Sequence, residues 1–275
     1  MAIFQVHFYS KSLRREVPFT ALLPMDRPEI PGNPLSERGE MKTLYLLNGY
    51  SGGSMEWLVH TRIKELADRL NVAVIMPSGE NSFYVDDEEK GELFGEYVGR
   101  ELVEFTRECF PLSRDRSATY IGGLSMGGYG AIRNGLKYAS QFGSVIALSS
   151  ALLPYRIANA APGYNDGVAD YRYFKRVFGD LDALSGSDKD PEALVKQLKE
   201  TGEAMPAIYM ACGTEDFLLD VNRRFSAYLT EENVQHVYME SAGAHSWDFW
   251  NEYIDKALNW AVTLPRVQVL HNAKG

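Results

Sequence analysis

Six short stretches of this chain are largely apolar from end to end: Thr43–Leu47, Val72–Met76, Ala118–Ile121, Ser144–Leu148, Ala207–Ala211 and Val234–Met239. A strand that is apolar on both faces must have both faces covered, which is the pattern of a parallel sheet held between two layers of helix. Two earlier stretches, Ile3–Ser10 and Val17–Leu23, alternate in part and suit an antiparallel pair at the sheet edge. Sequence of helical period fills the intervals. Trp57–Leu70 carries Leu58, Ile63, Leu66, Ala67 and Leu70 on one stripe, and Tyr97–Phe110 does the same with Val98, Leu102, Phe105 and Cys109. A third helix is predicted over Tyr129–Ala139 and a last over Trp247–Trp260, with Phe249, Trp250, Tyr253, Ile254, Ala257 and Leu258 inward. The chain therefore predicts an α/β fold with an eight-stranded, mostly parallel sheet and right-handed crossovers.

One interval breaks this rhythm. Between Leu148 and Ala207 lie far more residues than a single crossover needs. They include the aromatics Tyr164, Tyr171, Tyr173, Phe174 and Phe178, then a helix start at Asp190-Pro191, with Asp as cap and Pro in the first turn. Nothing in the interval resembles a linker. The expectation is one domain over residues 1–275, with 153–205 as a cap-like insertion after the sixth strand.

The balance of charge narrows the function. A net charge of −9 without a Lys/Arg cluster argues against a nucleic-acid partner, since Arg114-Asp115-Arg116 is interrupted by an acid. No stretch approaches the length that spans a bilayer, and Met1–Phe8 reads as a first strand rather than a signal peptide. Two cysteines, Cys109 and Cys212, fit reduced thiols better than a disulfide framework, so the expected location is the cytoplasm. A small molecule is the expected partner, with no membrane partner; a homo-oligomer is compatible with the sequence.

The chemistry starts at Gly123-Leu124-Ser125-Met126-Gly127, a G-x-S-x-G motif flanked by Gly122 and Gly128. It follows a predicted strand and precedes a predicted helix, the context in which a serine sits exposed on a tight, strained turn. Its hydroxyl then lies at a helix N-terminus, where developing negative charge is favoured. A structural glycine-rich turn is the plainer alternative, and the strand–helix context favours the nucleophile.

A serine hydroxyl needs a base. His7 and His236 fall in predicted strands, His60 in a helix and His271 in the tail, all as packed or solvent-facing rings. His245 lies in the small-residue loop Ser241-Ala242-Gly243-Ala244-His245-Ser246, after the last strand and before the last helix. Such loops at the carboxyl edge are where an open α/β sheet places its site. The acid should follow the preceding strand, where Asp216 is favoured over its neighbour Glu215; Asp182 and Asp220 read as caps or surface charges. Backbone N–H groups of Met126 and Tyr50 are the expected oxyanion donors, Tyr50 from the loop Asn48-Gly49-Tyr50-Ser51-Gly52-Gly53. Asn48 and Gly49 of that loop, with Tyr164, Tyr171 and Phe174 of the insertion, are the expected substrate contacts.

These residues together resemble the esterase D and tributyrin-esterase branch of the α/β-hydrolases, which includes S-formylglutathione hydrolases and feruloyl and acetyl esterases. The likeness runs over nearly the whole chain: Leu46-Leu47-Asn48-Gly49, Met76-Pro77-Ser78-Gly79 with Phe83-Tyr84, Gly123 to Gly128, Cys212 to Leu218, and His245-Ser246-Trp247. It implies the α/β-hydrolase fold, a hydrolase of simple esters with short acyl or aryl groups, the same triad, and neither metal nor cofactor. The chain departs from that branch twice. Asn48 stands where many relatives have His, and Tyr50-Ser51-Gly52-Gly53 stands where formylglutathione-specific members carry Thr-Cys. There is no H-E-x-x-H, no paired cysteine spacing and no dinucleotide or P-loop fingerprint, and Asp86-Asp87-Glu88-Glu89 reads as a solvated loop. An acyltransferase of the same fold is the first alternative, a formylglutathione-type thioesterase the second, and a binding protein without catalysis the last.

Overall fold

The computed structural model describes residues 1–26 and 40–264, so His271 lies outside the described residues. The chain opens with β1 (Ala2–Ser10), β2 (Arg15–Leu23), β3 (Lys42–Leu47), α1 (Glu56–His60), α2 (Ile63–Leu70) and β4 (Val72–Pro77). A small hairpin of β5 (Asp86–Asp87) and β6 (Glu92–Leu93) leads into α3 (Phe94–Glu96), a π turn at Tyr97–Glu101, and α4 (Leu102–Cys109). Then come β7 (Thr119–Leu124), α5 (Met126–Lys137), β8 (Ser144–Leu148), α6 (Pro154–Ile157), α7 (Tyr171–Phe178) and α8 (Pro191–Thr201). The chain continues with β9 (Ala207–Gly213), α9 (Leu219–Glu231), β10 (His236–Ser241) and α10 (Trp247–Thr263).

Eight strands make one sheet in the order β1-β2-β4-β3-β7-β8-β9-β10. Pairing is antiparallel at β1–β2 and β2–β4 and parallel elsewhere, so β2 alone runs against the rest. The apolar runs explain themselves in this setting. Tyr45 and Leu47 of β3 pack on the face that also buries Leu102, Val103, Ile132 and Leu136, whereas Leu44 and Leu46 face Ile63, Leu66, Ile254 and Leu258. Successive side chains thus enter two separate cores, and each buried Leu or Ile contributes roughly 1.5–3 kcal/mol.

Besides α6 and α7, which no predicted helix covers, and the π turn that opens the predicted helix Tyr97–Phe110, the helices differ from expectation in three places. The predicted helix Trp57–Leu70 is two helices, because Thr61 is extended (φ −135, ψ 172) and its hydroxyl accepts the Ile63 N–H at 3.2 Å. The helix expected from Tyr129 starts at Met126, directly after the motif serine. Helix α9 has no counterpart in the sequence reading. Its inward stripe of Val221, Phe225 and Leu229 is one residue wide and bordered by Asn222 and Ser226, too thin a signal to separate from loop.

The acidic stretch at 86–89 is also not simply a solvated loop. Asp86 is largely shielded and pairs with Arg133 (3.3 Å) and Lys137 (3.1 Å). Arg133 is fully buried, and its Nε donates to Asp188 O at 3.0 Å while Nη2 pairs with the Asp188 carboxylate. Lys137 reaches the same carboxylate at 2.7 Å, and Tyr129 Oη donates to Lys189 O at 2.7 Å. Three side chains one turn apart on α5 therefore tie down the segment that leads into α8. Among the described residues no helix is long and apolar enough to cross a membrane.

Candidate active site

Strand order reverses between β3 and β7. The chain builds outward from β3 to β4 on one side and from β7 through β8, β9 and β10 on the other. The crevice at the carboxyl edge of such a switch point is where an open α/β sheet holds its ligand. Ser125 stands there, one residue past β7, with φ +51 and ψ −116, a strained conformation for a residue with a side chain. The backbone around it is firmly held, since Ser125 N–H donates to Leu148 O and Ser125 O accepts from Ala151 N, each at 2.9 Å. The outer motif glycines are required by close approach. A Cβ at Gly123 would lie 2.4 Å from Gly127 O, and one at Gly127 would lie 2.5 Å from Leu47 O.

Asp216 follows β9 and His245 follows β10, on the same edge of the sheet. His245 Nδ1 lies 2.9 Å from Asp216 Oδ2, and Leu218 N–H donates to Asp216 Oδ1 at 2.9 Å. The Asp216 side chain is fully shielded from solvent. Burial by itself would raise its pKa, but the His245 contact, the Leu218 N–H and the Ser149 hydroxyl together outweigh burial and hold it below the ordinary carboxylate value. Asp216 thus stays ionised against the imidazole. The ring is wedged between Phe217 (centroids 4.7 Å apart) and Trp250 (4.8 Å, near-perpendicular). With Nδ1 engaged, Nε2 is the nitrogen left for a proton transfer. Among the described residues the Ser125 hydroxyl makes no hydrogen bond. Glu215, the competing acid, is turned elsewhere, its carboxylate accepting from Gly243 N–H and, at 2.9 Å, from the Thr214 hydroxyl.

The loop after β3 lies beside the nucleophile turn because Leu47 pairs with Gly123. Three of its N–H groups are tied within the protein. Gly49 N–H donates to Glu56 Oε1 (2.7 Å), Ser51 N–H to Asn81 Oδ1 (2.8 Å) and Gly52 N–H to Gly49 O (3.1 Å). Among the described residues the N–H groups of Tyr50 and Met126 have no acceptor, and Met126 is the first residue of α5. Asn48 departs from the expected substrate contact. It is buried and its amide is committed, Oδ1 accepting from Gly79 N–H (2.8 Å) and Tyr84 Oη (2.9 Å) and Nδ2 donating to Gly49 O (2.8 Å).

Ser125 opens into a cavity of about 60 Å³, walled by Tyr50, Phe83, Ala151, Leu153, Tyr173, Phe174 and Phe217, with Arg156 and Asp166 also in its lining. Of the aromatics expected from the insertion, Phe174 and Tyr173 are in this wall. Tyr164 and Tyr171 are not. Tyr164 packs on the Phe174 ring at 6.0 Å, and Tyr171 lines a separate charged cleft of about 890 Å³ with Arg172 and Lys175. Gly49 is also absent from the wall, its N–H being held by Glu56. Phe178 packs on Phe83 and Tyr129 as core.

Several contributors were missed by the sequence reading. Ser149, buried just past β8 at φ +46, accepts from Trp250 Nε1 at 3.0 Å and helps hold the Asp216 carboxylate below its ordinary value. Phe217 was legible only as the neighbour of Asp216, and Glu56 carried no signal at all. Among the described residues no group of His, Cys, Asp and Glu is arranged to hold a metal ion.

The model of the Putative esterase family matches residues 10–261. The chain is 54% identical over 260 residues to an acetyl esterase of Caldicellulosiruptor saccharolyticus, covering 94% of this chain and 98% of that one. Two solved structures from Staphylococcus aureus share its architecture. One is a fluorophosphonate-binding serine hydrolase with substrate bound, with 26% identity and TM-score 0.81 over 96% of this chain and 99% of the other. The second is an S-formylglutathione hydrolase, with 27% identity and TM-score 0.79 over 95% of this chain and 98% of the other.

Proposed function

The chain belongs to this esterase family and is a serine carboxylesterase of the α/β-hydrolase fold, and we propose that it removes short acyl groups, acetyl foremost, from small-molecule esters through Ser125, His245 and Asp216. The observation that carries the acyl preference is the cavity beside Ser125. At about 60 Å³ it is well below the ~150 Å³ that accommodates a benzene ring, so it suits an acetyl-sized group. The acetyl esterase that is 54% identical acts in support.

The reaction follows from the groups in place. His245 Nε2 takes the Ser125 proton as Oγ bonds to the ester carbonyl carbon, and the carbonyl oxygen becomes an oxyanion held by the free N–H groups of Tyr50 and Met126. Asp216 fixes the histidine tautomer and stabilises the imidazolium without taking the proton. Collapse expels the alcohol, which receives the proton from His245, and leaves an acyl group on Ser125. Water, deprotonated by the same nitrogen, then releases the carboxylic acid and restores the serine. Residues 153–205 serve as the cap that closes the acyl pocket, and one domain located in the cytoplasm is part of the same proposal. The test is a series of 4-nitrophenyl esters from acetate to decanoate, with S-formylglutathione and a feruloyl ester alongside. Acetate and propionate should have the highest kcat/KM; a preference for long acyl chains or for the thioester would reject the reading.

A further inference from the structure

We propose that Glu56 is a positioning residue for ester hydrolysis, bracing the loop 49–52 from within so that the Tyr50 N–H stays aimed at the substrate carbonyl. This rests on the assignment of Tyr50 as an oxyanion donor. The loop is a tight turn in which Gly49 O accepts Gly52 N–H at 3.1 Å and Ser51 takes φ +61. Such a turn can rotate its peptide planes at little cost unless each is tied.

Glu56 supplies one of those ties. It reaches back from the first turn of α1 to accept the Gly49 N–H at 2.7 Å. Its carboxyl also fills the hollow of the turn, because a Cβ on Gly52 would lie 1.7 Å from Oε2. The next residue, Trp57, donates Nε1 to Leu47 O at 2.9 Å, so two consecutive side chains clamp the chain on either side of Asn48. Asn81 and Asn48 fasten Ser51 N–H and Gly49 O. Glu56 Oε1, Asn81 Oδ1 and Gly49 O are thereby engaged by other donors, and the Tyr50 N–H is left for the ligand.

The arrangement is costly for a carboxylate, which suggests that it is kept for a purpose. Burial raises the Glu56 pKa to about 7 against the pull of the single Gly49 N–H. An apolar residue would fill the same hollow without that cost but would leave the Gly49 N–H free to swing.

The experiment compares Glu56→Ala, Glu56→Asp and Glu56→Gln with the wild type on 4-nitrophenyl acetate, with an alkylboronic acid as tetrahedral probe and a thermal melt for each. Ala removes the acceptor and Asp withdraws it by one methylene, so both should lower kcat about 10- to 100-fold, less than the ~10²–10³ lost when an oxyanion donor is removed outright. KM should stay within about twofold, and boronic acid binding should weaken in step with kcat. Gln keeps an acceptor oxygen at the same reach and should recover most of the rate. Wild-type kcat in Glu56→Ala, a change confined to KM, or a Gln variant no faster than Ala would each overturn the proposal. If Glu56→Ala does not fold, Glu56→Gln against Glu56→Asp decides, and equal rates overturn it. Ser125→Ala run in parallel separates the two layers. Turnover retained there defeats the site assignment, whereas turnover lost there but intact in Glu56→Ala defeats only the brace.

Discussion

His245 Nδ1 and Asp216 Oδ2 are 2.9 Å apart, and the carboxylate has no access to solvent. A shielded, ionised carboxylate that also holds the Leu218 N–H has little freedom to rotate, so the imidazole is fixed in tautomer as well as in position. Replacing Asp216 by Asn should keep the fold and reduce kcat by about 10⁴-fold, because the wrong nitrogen would then carry the proton. Glu215→Gln should cost less than about threefold, since its carboxylate serves the Gly243 loop. Steady-state kinetics on both variants checks the pair, and a more damaging Glu215→Gln would reassign the acid.

Ser125→Ala should fold with an unchanged melting temperature and lose roughly four to six orders of magnitude in kcat, leaving what binding and the oxyanion donors supply alone. His245→Ala should lose about as much. A fluorophosphonate probe should label Ser125 and no other serine, as read by peptide mass spectrometry.

The aromatics of the insertion should separate by role. Tyr173→Ala should open the acyl pocket and shift kcat/KM toward butyrate and longer chains, with a small change in melting temperature. Phe178→Ala should leave chain-length preference alone and destabilise the fold by about 3–5 kcal/mol. Phe174, in the cavity wall yet 1% exposed, should do both. The comparison needs only the ester series and denaturant melts.

Stability should have a maximum on the acid side of neutrality, because two sets of carboxyls act with opposite sign. Burial would raise Asp86 and Asp188, but Arg133 and Lys137 outweigh it and hold both below the ordinary Asp value. Their stabilisation is complete above the unfolded pKa and is lost as pH falls through the depressed folded one, so melting temperature should drop below about pH 4. Glu56 is raised to about 7, so its contribution is complete below the unfolded value and declines as pH climbs to 7. Glu56→Gln should therefore melt higher than the wild type at pH 8 and no higher at pH 4, as read by calorimetry.

The strands were legible because each alternate residue enters a different core, which makes the run apolar whatever its register; Leu44 to Leu47 is the clearest case. The motif serine and the loop histidine were legible because their types and order are constrained by chemistry. The cavity wall was not. Tyr164, Tyr171, Tyr173 and Phe174 are indistinguishable as letters, and which of them faces Ser125 depends on where α7 begins and how it is rotated. Asp170 decides that start by capping Tyr173 N–H at 2.9 Å. Asn48 misled for a related reason, since a polar residue beside a catalytic loop can equally well be the loop's own scaffold. Glu56 lay beyond reach because its partner is a backbone N–H seven residues back, and a side chain aimed at backbone leaves no pairwise trace.

The ties from Tyr129, Arg133 and Lys137 to residues 188 and 189 bear on how such an enzyme can change its diet. The helix that begins at the nucleophile turn also anchors the end of the segment that carries the pocket wall. A graft of residues 153–205 from a relative would arrive without its moorings unless the three matching side chains on α5 travelled with it. The unit that can be exchanged whole, by evolution or by design, therefore runs from the nucleophile turn at the end of β7 through the start of α8.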